Sequence, residues 1–157
     1  MAPTNIAWVD KILAGVAEQE KVLDSNEEFV IVRDWKFDLK QKDDVLIFDR
    51  NNVHLLGIPR ERIHSIRDLT VDHIPMLENI RKTALVVCEK MFGLQQNEIK
   101  VFFHYPPSTY HLHIHFTWVG LHNTATDFTR AIDFETVIRN IRMDPSYYHG
   151  ELNFLDD

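Results

Sequence analysis

The chain has 157 residues, a hydrophobic fraction of 45% and a formal charge of −7. That length suits one domain, residues 1–157, with a sizeable core. The acidic balance excludes a long nucleic-acid polymer as partner, because tracking a phosphate backbone needs a broad basic stripe, whereas a small anionic ligand needs only a few local cations.

In chain order, Ile6, Val9, Ile12, Leu13 and Val16 recur at helical spacing, which predicts a first helix to about Ala17 with Asn5 as its N-cap. Gln19 to Leu23 and Phe29 to Val32 flank Asp24-Ser25-Asn26 and read as two strands of a hairpin. Val45 to Phe48 and Val53 to Ile58 read as a second antiparallel pair around Asp49-Arg50-Asn51-Asn52. The longest helix is expected after Thr70, with Ile74, Leu77, Ile80, Ala84, Val87 and Met91 along one stripe and Gly93 as its stop. Two strands follow, Ile99 to His104 and Tyr110 to Val119, joined by Pro106-Pro107-Ser108-Thr109; a last helix covers Phe134 to Arg142 and stops before Asp144-Pro145. The order predicts an α+β fold, a mostly antiparallel sheet of about five or more strands with a long helix and shorter ones. Cys88, the lone cysteine, lies in the apolar run Ala84 to Cys88 and reads as a buried small hydrophobe, so there is no disulfide framework. No apolar stretch approaches the ~20 residues of a bilayer span, and the start lacks a signal-peptide pattern. These features predict a cytoplasmic protein, with the nucleus also open to it.

The chemistry concentrates in four histidines within twelve residues, His104 to His115. In a strand, His111, His113 and His115 share one face while Leu112, Ile114 and Phe116 share the other. Three such histidines span about 13 Å at ~3.3 Å per residue, too far for all to reach one metal ion, although two could do so with His104 or an acidic residue. The same row suits a nucleophile. His113 would attack phosphorus with its other ring nitrogen held by an acceptor, while His115 and His104 donate to the nonbridging oxygens and the Pro-Pro-Ser-Thr loop adds donors.

The stretch His111-Leu112-His113-Ile114-His115-Phe116 resembles the histidine-triad motif of nucleotide hydrolases and transferases. The longer string from His104-Tyr105-Pro106-Pro107-Ser108-Thr109-Tyr110 through that motif resembles the scavenger mRNA decapping family, and Ser65-Ile66-Arg67-Asp68-Leu69-Thr70 and Asp144-Pro145 with Tyr147-Tyr148 agree with it. The resemblance covers essentially the whole chain and corresponds to the family's catalytic C-terminal half. It implies a histidine-triad fold and metal-independent, cofactor-free hydrolysis of the N7-methylguanosine cap on a dinucleotide or short capped RNA. His113 would form a covalent nucleotidyl intermediate, and N7-methyl-GMP and a nucleoside diphosphate end would be released. His104, His111, His113 and His115 would be catalytic, and Trp8, Glu18, Asp34, Lys36, Ser108, Tyr110 and Arg130 would hold the substrate. A stacked ring at Trp8 and a carboxylate at Glu18 suit a base that methylation has made cationic. One continuous helix over residues 8 to 18 would hold these two ~15 Å apart, so the cap reading requires the helix to end near Gly15 to Ala17.

Two departures stand out. Thr109 occupies a place where the family commonly has a tyrosine. The chain starts almost directly at Trp8, so the family's N-terminal domain, which swaps between subunits and closes over substrate, is expected to be missing. The resemblance further implies a homodimer joined into one extended sheet, with the long helix around Ala84 as a candidate interface. Two other functions fit the same residues: a general histidine-triad hydrolase of dinucleoside polyphosphates or phosphoramidates, and a cap-binding module without useful catalysis.

Overall fold

The computed structural model describes residues 6–16, 19–34, 40–42, 45–47, 53–120 and 130–149. Helix α1 (Ala7–Leu13) is shorter than its apolar periodicity suggests, and Gly15 follows it at φ 75°. A residue without Cβ takes that left-handed conformation freely, so the chain can turn away from the helix axis there. The N-cap position is Ile6, without a side-chain bond; Asn5 lies outside the described residues. A short 3-10 turn, Gln19–Lys21, replaces the first half of the strand expected over Gln19 to Leu23. β1 (Val22–Ser25) and β2 (Phe29–Arg33) then form the hairpin. Asn26 sets its turn, its side-chain oxygen accepting from the backbone N–H of Glu28 and Phe29 at 2.8 and 2.9 Å.

The second expected pair is not formed. β4 (Val45–Ile47) pairs with β3 (Lys40–Lys42), and β5 (His54–Pro59) pairs with β2 on one side and β7 on the other. Short apolar runs do not say which partner they take; β5 is paired over residues 55–59 with β2 and over residues 54–57 with β7. After it, Thr70 caps a 3-10 turn, Val71–His73, which leads into α2 (Ile74–Phe92); Gly93 at φ 67° ends the helix. Then come β6 (Ile99–His104), β7 (Ile114–Trp118), β8 (Ala131–Asp133) and α3 (Phe134–Met143). The six-stranded sheet runs β1-β2-β5-β7-β6-β8 with every neighbouring pair antiparallel.

The period-two alternation of the central strands divides the side chains between two faces. Phe29, Ile31, Leu55, Phe103, Ile114 and Phe116 join α2 and α3 in the main core. Val30, Val32, Leu56 and Ile58 face the other way and pack under Val9 and Ile12 of α1. Along α2 the buried row is Ile74, Leu77, Ile80, Ala84, Cys88 and Phe92, whereas Val87 is half-buried and Met91 exposed. Each fully buried large apolar side chain in that row contributes about 1.5–3 kcal/mol. Ala84 is completely buried against the sheet, so it is not available to a partner chain. Close approach of α2 to β5 depends on Gly57, where an added Cβ would collide with Ile80 Cγ2. Burial also pushes the Cys88 thiol up to about 12, as suits an inert small hydrophobe. No helix of the described residues is long and apolar enough to cross a membrane.

Candidate active site

The histidines lie on the sheet face that carries α1, opposite α2. In the ladder His115 stands across from Leu56 on β5 and Phe102 on β6, and its ring stacks on Phe102 at 5.1 Å between centroids. His104, two residues beyond Phe102 on β6, brings its ring to 4.1 Å from His115. The ring of His113 is 4.9 Å from His115.

The strand is shorter than the histidine alternation suggests. Pro59 ends β5, and the residues that would have paired beyond it bond to the following loop: Leu112 N–H donates to Ile63 O at 2.6 Å. Consequently His111 does not join a row of three. Its ring is fully buried and its Nε2 donates to the Pro59 carbonyl at 2.7 Å. What His111 presents to its neighbour is its backbone: His113 Nδ1 donates to the His111 carbonyl, again at 2.7 Å. A carbonyl only accepts, so the proton of His113 is fixed on Nδ1 and the lone pair lies on Nε2. Burial pushes the affinity of His113 for a second proton down, which keeps that lone pair available. His115 is held neutral more strongly, by burial first and then by His113, His54, His104 and Arg130 around it. His111 is also lowered, chiefly by burial.

A fifth histidine completes the cluster, and the motif-centred reading missed it. His54, the first residue of β5, brings Nε2 to 3.0 Å from His115 Nδ1. Asp34 Oδ2 lies 3.7 Å from His54 Nδ1. When His54 donates, neutral His115 keeps its hydrogen on Nε2, which has no hydrogen-bond partner among the described residues. The available signal was His54-Leu55-Leu56-Gly57-Ile58, whose alternation puts His54 on the face of Leu56, across the ladder from His115.

Cationic support comes from Arg130, whose Nη2 donates to His104 Nδ1 at 3.3 Å while its backbone carbonyl accepts from Tyr105 N–H at 2.9 Å. Trp8, on α1, is half-buried; its ring is 6.2 Å from His113 at 79°, and its indole N–H points to Thr109 Oγ1 at 3.4 Å. Asp34 is exposed, Ser108 is exposed and Tyr110 half-buried in the loop before the triad. Glu18 and Lys36 lie outside the described residues. Thus His104, His113, His115, Arg130, Asp34 and Trp8 gather on one face, and α1 ends at Leu13, ahead of Gly15. Ser65 and Thr70 cap 3-10 turns, and Tyr148 accepts from Asn140 at 2.9 Å, so those blocks of the family-like pattern are structural here.

Among the described residues no group of three or more His, Cys, Asp or Glu side chains is arranged to hold a metal ion. The rings instead stack on and bond to one another, which suits proton transfer and anion binding. A groove of about 960 Å³ lies away from them over α2, lined by Glu78, Lys82, Glu89 and Lys100 among others. Its volume does not outweigh the convergence of tautomer-fixed histidines on the opposite face.

Comparison with known proteins shows the family and the fold. The m7GpppX diphosphatase of Schizosaccharomyces pombe is 37% identical over 165 residues, covering 96% of this chain and 51% of that protein. The m7GpppX diphosphatase of Ascaris suum is 33% identical over 148 residues, 92% of this chain and 47% of that protein. The chain therefore spans about half the length of these curated relatives. Among solved structures, a HIT family hydrolase from Legionella pneumophila superposes with a TM-score of 0.54 at 24% identity, over 73% of this chain and 93% of that one, which establishes the histidine-triad fold. Residues 7–130 match the family described as scavenger mRNA decapping enzyme C-term binding, and the chain belongs to that family.

Proposed function

We propose that this chain hydrolyses the N7-methylguanosine cap of cap dinucleotides or short capped RNA fragments, without a metal or cofactor. The observation that carries the reading is the bond from His113 Nδ1 to the His111 carbonyl at 2.7 Å, which leaves Nε2 as a nucleophile. In the first step Nε2 bonds to the phosphorus attached to methylguanosine, and the bond from that phosphorus to the bridging oxygen breaks. The departing nucleoside diphosphate end carries away the electron pair. Water then attacks the same phosphorus, the P–N bond breaks back to His113, and N7-methyl-GMP leaves with the water proton passing to solvent. His115 Nε2, His104 and Arg130 would donate to the nonbridging oxygens, where negative charge builds up.

Trp8, with Glu18, Asp34 and Lys36, would select the cationic base. The 6.2 Å from Trp8 to His113 supports base and phosphate subsites side by side. Ser108 and Tyr110, in the loop leading to the triad, would contact the phosphates. The relatives named m7GpppX diphosphatase support the substrate class. The same reading carries a homodimer, testable by light scattering in solution, and a cytoplasmic or nuclear location.

The test is incubation with methylated cap dinucleotide in the presence of chelator, with products identified by mass. N7-methyl-GMP is expected. N7-methyl-GDP would place the attack on a different phosphate, and equal rates on the unmethylated dinucleotide would reduce the assignment to a general histidine-triad hydrolase.

A further inference from the structure

Thr109 stands where the resembling family commonly has a tyrosine, and the structure gives the smaller residue a definite contact. Thr109 is 8% exposed, and its Oγ1 faces the indole Nε1 of Trp8 at 3.4 Å across 101 residues of sequence. An indole N–H only donates and a β-branched hydroxyl has few rotamers, so the pair defines one orientation of the ring. Helix α1 is otherwise tied down toward its C-terminal side. Arg60 Nη1 donates to Leu13 O at 2.9 Å, and Arg62 pairs with Asp10. The contact from Trp8 to Thr109 holds the other end of α1 to the loop that leads into the triad, two residues before the carbonyl that orients His113.

From this geometry we propose that Thr109 is a positioning residue that sets substrate selectivity: it holds the Trp8 ring at the angle and distance from His113 at which a cationic purine can stack on it. The inference rests on reading Trp8 as the stacking ring. With the ring fixed beforehand, a planar cationic base meets a prepared face and less side-chain freedom is lost on binding. A ring released from Thr109 would sample other rotamers and discriminate methylated from unmethylated guanine less well.

The test compares Thr109→Val, which keeps the shape and removes the acceptor, with Thr109→Ser, which restores it. In Thr109→Val the KM for methylated cap dinucleotide should rise about 5- to 10-fold, the range expected for one lost hydrogen bond. The rise in KM should exceed any fall in kcat, and the preference for the methylated dinucleotide should narrow. The Trp8 indole N–H resonance of the ligand-free protein should shift and exchange faster with solvent. Serine should return both readouts toward the parent. An unshifted indole resonance, an unchanged KM, or a fall confined to kcat would overturn the proposal. Trp8→Ala separates the two readings: if it binds the methylated dinucleotide as the parent does, the stacking assignment itself has failed. Loss of binding there beside an unaffected Thr109→Val would condemn only the role of Thr109.

Discussion

On one face of the six-stranded sheet, Phe29, Ile31, Leu55, Ile114 and Phe116 close on α2 with apolar side chains alone; on the other, His111, His113 and His115 are buried almost as deeply. The apolar face is specified by volume. Its contacts are many, individually weak and tolerant of exchange so long as the space stays filled. The histidine face is specified by direction. His113 is useful only because its Nδ1 hydrogen finds the His111 carbonyl, and His115 is oriented through His54. Damage should therefore show up as lost stability on the first face and as lost chemistry on the second.

His113→Asn is the sharpest break. Under the proposed mechanism it removes the attacking lone pair, and kcat should fall by roughly 10³-fold or more. The midpoint of thermal unfolding should move less than it does for a core truncation. Turnover that survives this substitution would show that His113 is not the nucleophile. The mirror experiment is Leu77→Ala, which empties a fully buried position on α2. It should cost about 2–5 kcal/mol by denaturant titration while the folded fraction keeps its kcat. A large kcat loss in the folded fraction would mean that the two faces are mechanically coupled and the comparison is too simple.

The two faces also differ in how far they could be read from sequence. α2 was legible because Ile74, Leu77, Ile80 and Ala84 repeat at helical spacing between a capping threonine and a stop glycine. Only its last turns were misread, since the row continues through Cys88 and Phe92 rather than Val87 and Met91. β6 has the limits its sequence suggests. The partner of β4 was not legible, because pairing depends on distant segments that a short apolar run does not encode. On the histidine face, residue types were legible and directions were not. His-x-His-x-His predicts three rings in a row, yet Pro59 ends the neighbouring strand and its carbonyl takes the ring of His111 out of the row. His54 had no motif to mark it, and Thr109 stood out only as a departure from the family-like pattern; they matter through ladder register and through a contact across 101 residues.

A narrower break probes that directional wiring. His54→Ala leaves His115 Nδ1 without its ring partner, so the hydrogen on Nε2 is no longer fixed toward the phosphate. The expected loss in kcat is about 10- to 100-fold, less than for removing a charge-stabilising donor outright, with KM less affected. An unchanged kcat would show that His115 orients itself through its stacking on Phe102 alone.

The smallest effect belongs to the histidine face as well, and it concerns stability. His111, His113 and His115 are all lowered from the ordinary value of 6.5, in each case chiefly by burial. As pH falls through 6.5 these residues take up protons in the unfolded chain but not yet in the folded one. The unfolded state then binds more protons, so their contribution to stability is complete above 6.5 and declines below it, until the folded rings also titrate. Each proton taken up only by the unfolded chain costs roughly 1.4 kcal/mol per pH unit. Denaturant midpoints should therefore be level between about pH 8 and pH 7 and fall from about pH 6 downward. Replacing His115 with phenylalanine should flatten that fall, because its affinity for a proton is depressed most strongly. Leu77→Ala should instead lower the midpoint by a similar amount at every pH, since nothing on the apolar face titrates in this range. A parent midpoint that stays level to about pH 5.5 would mean that protons reach the buried rings in the folded protein as readily as in the unfolded chain, and the contrast between a face built on volume and one built on direction would lose its electrostatic half.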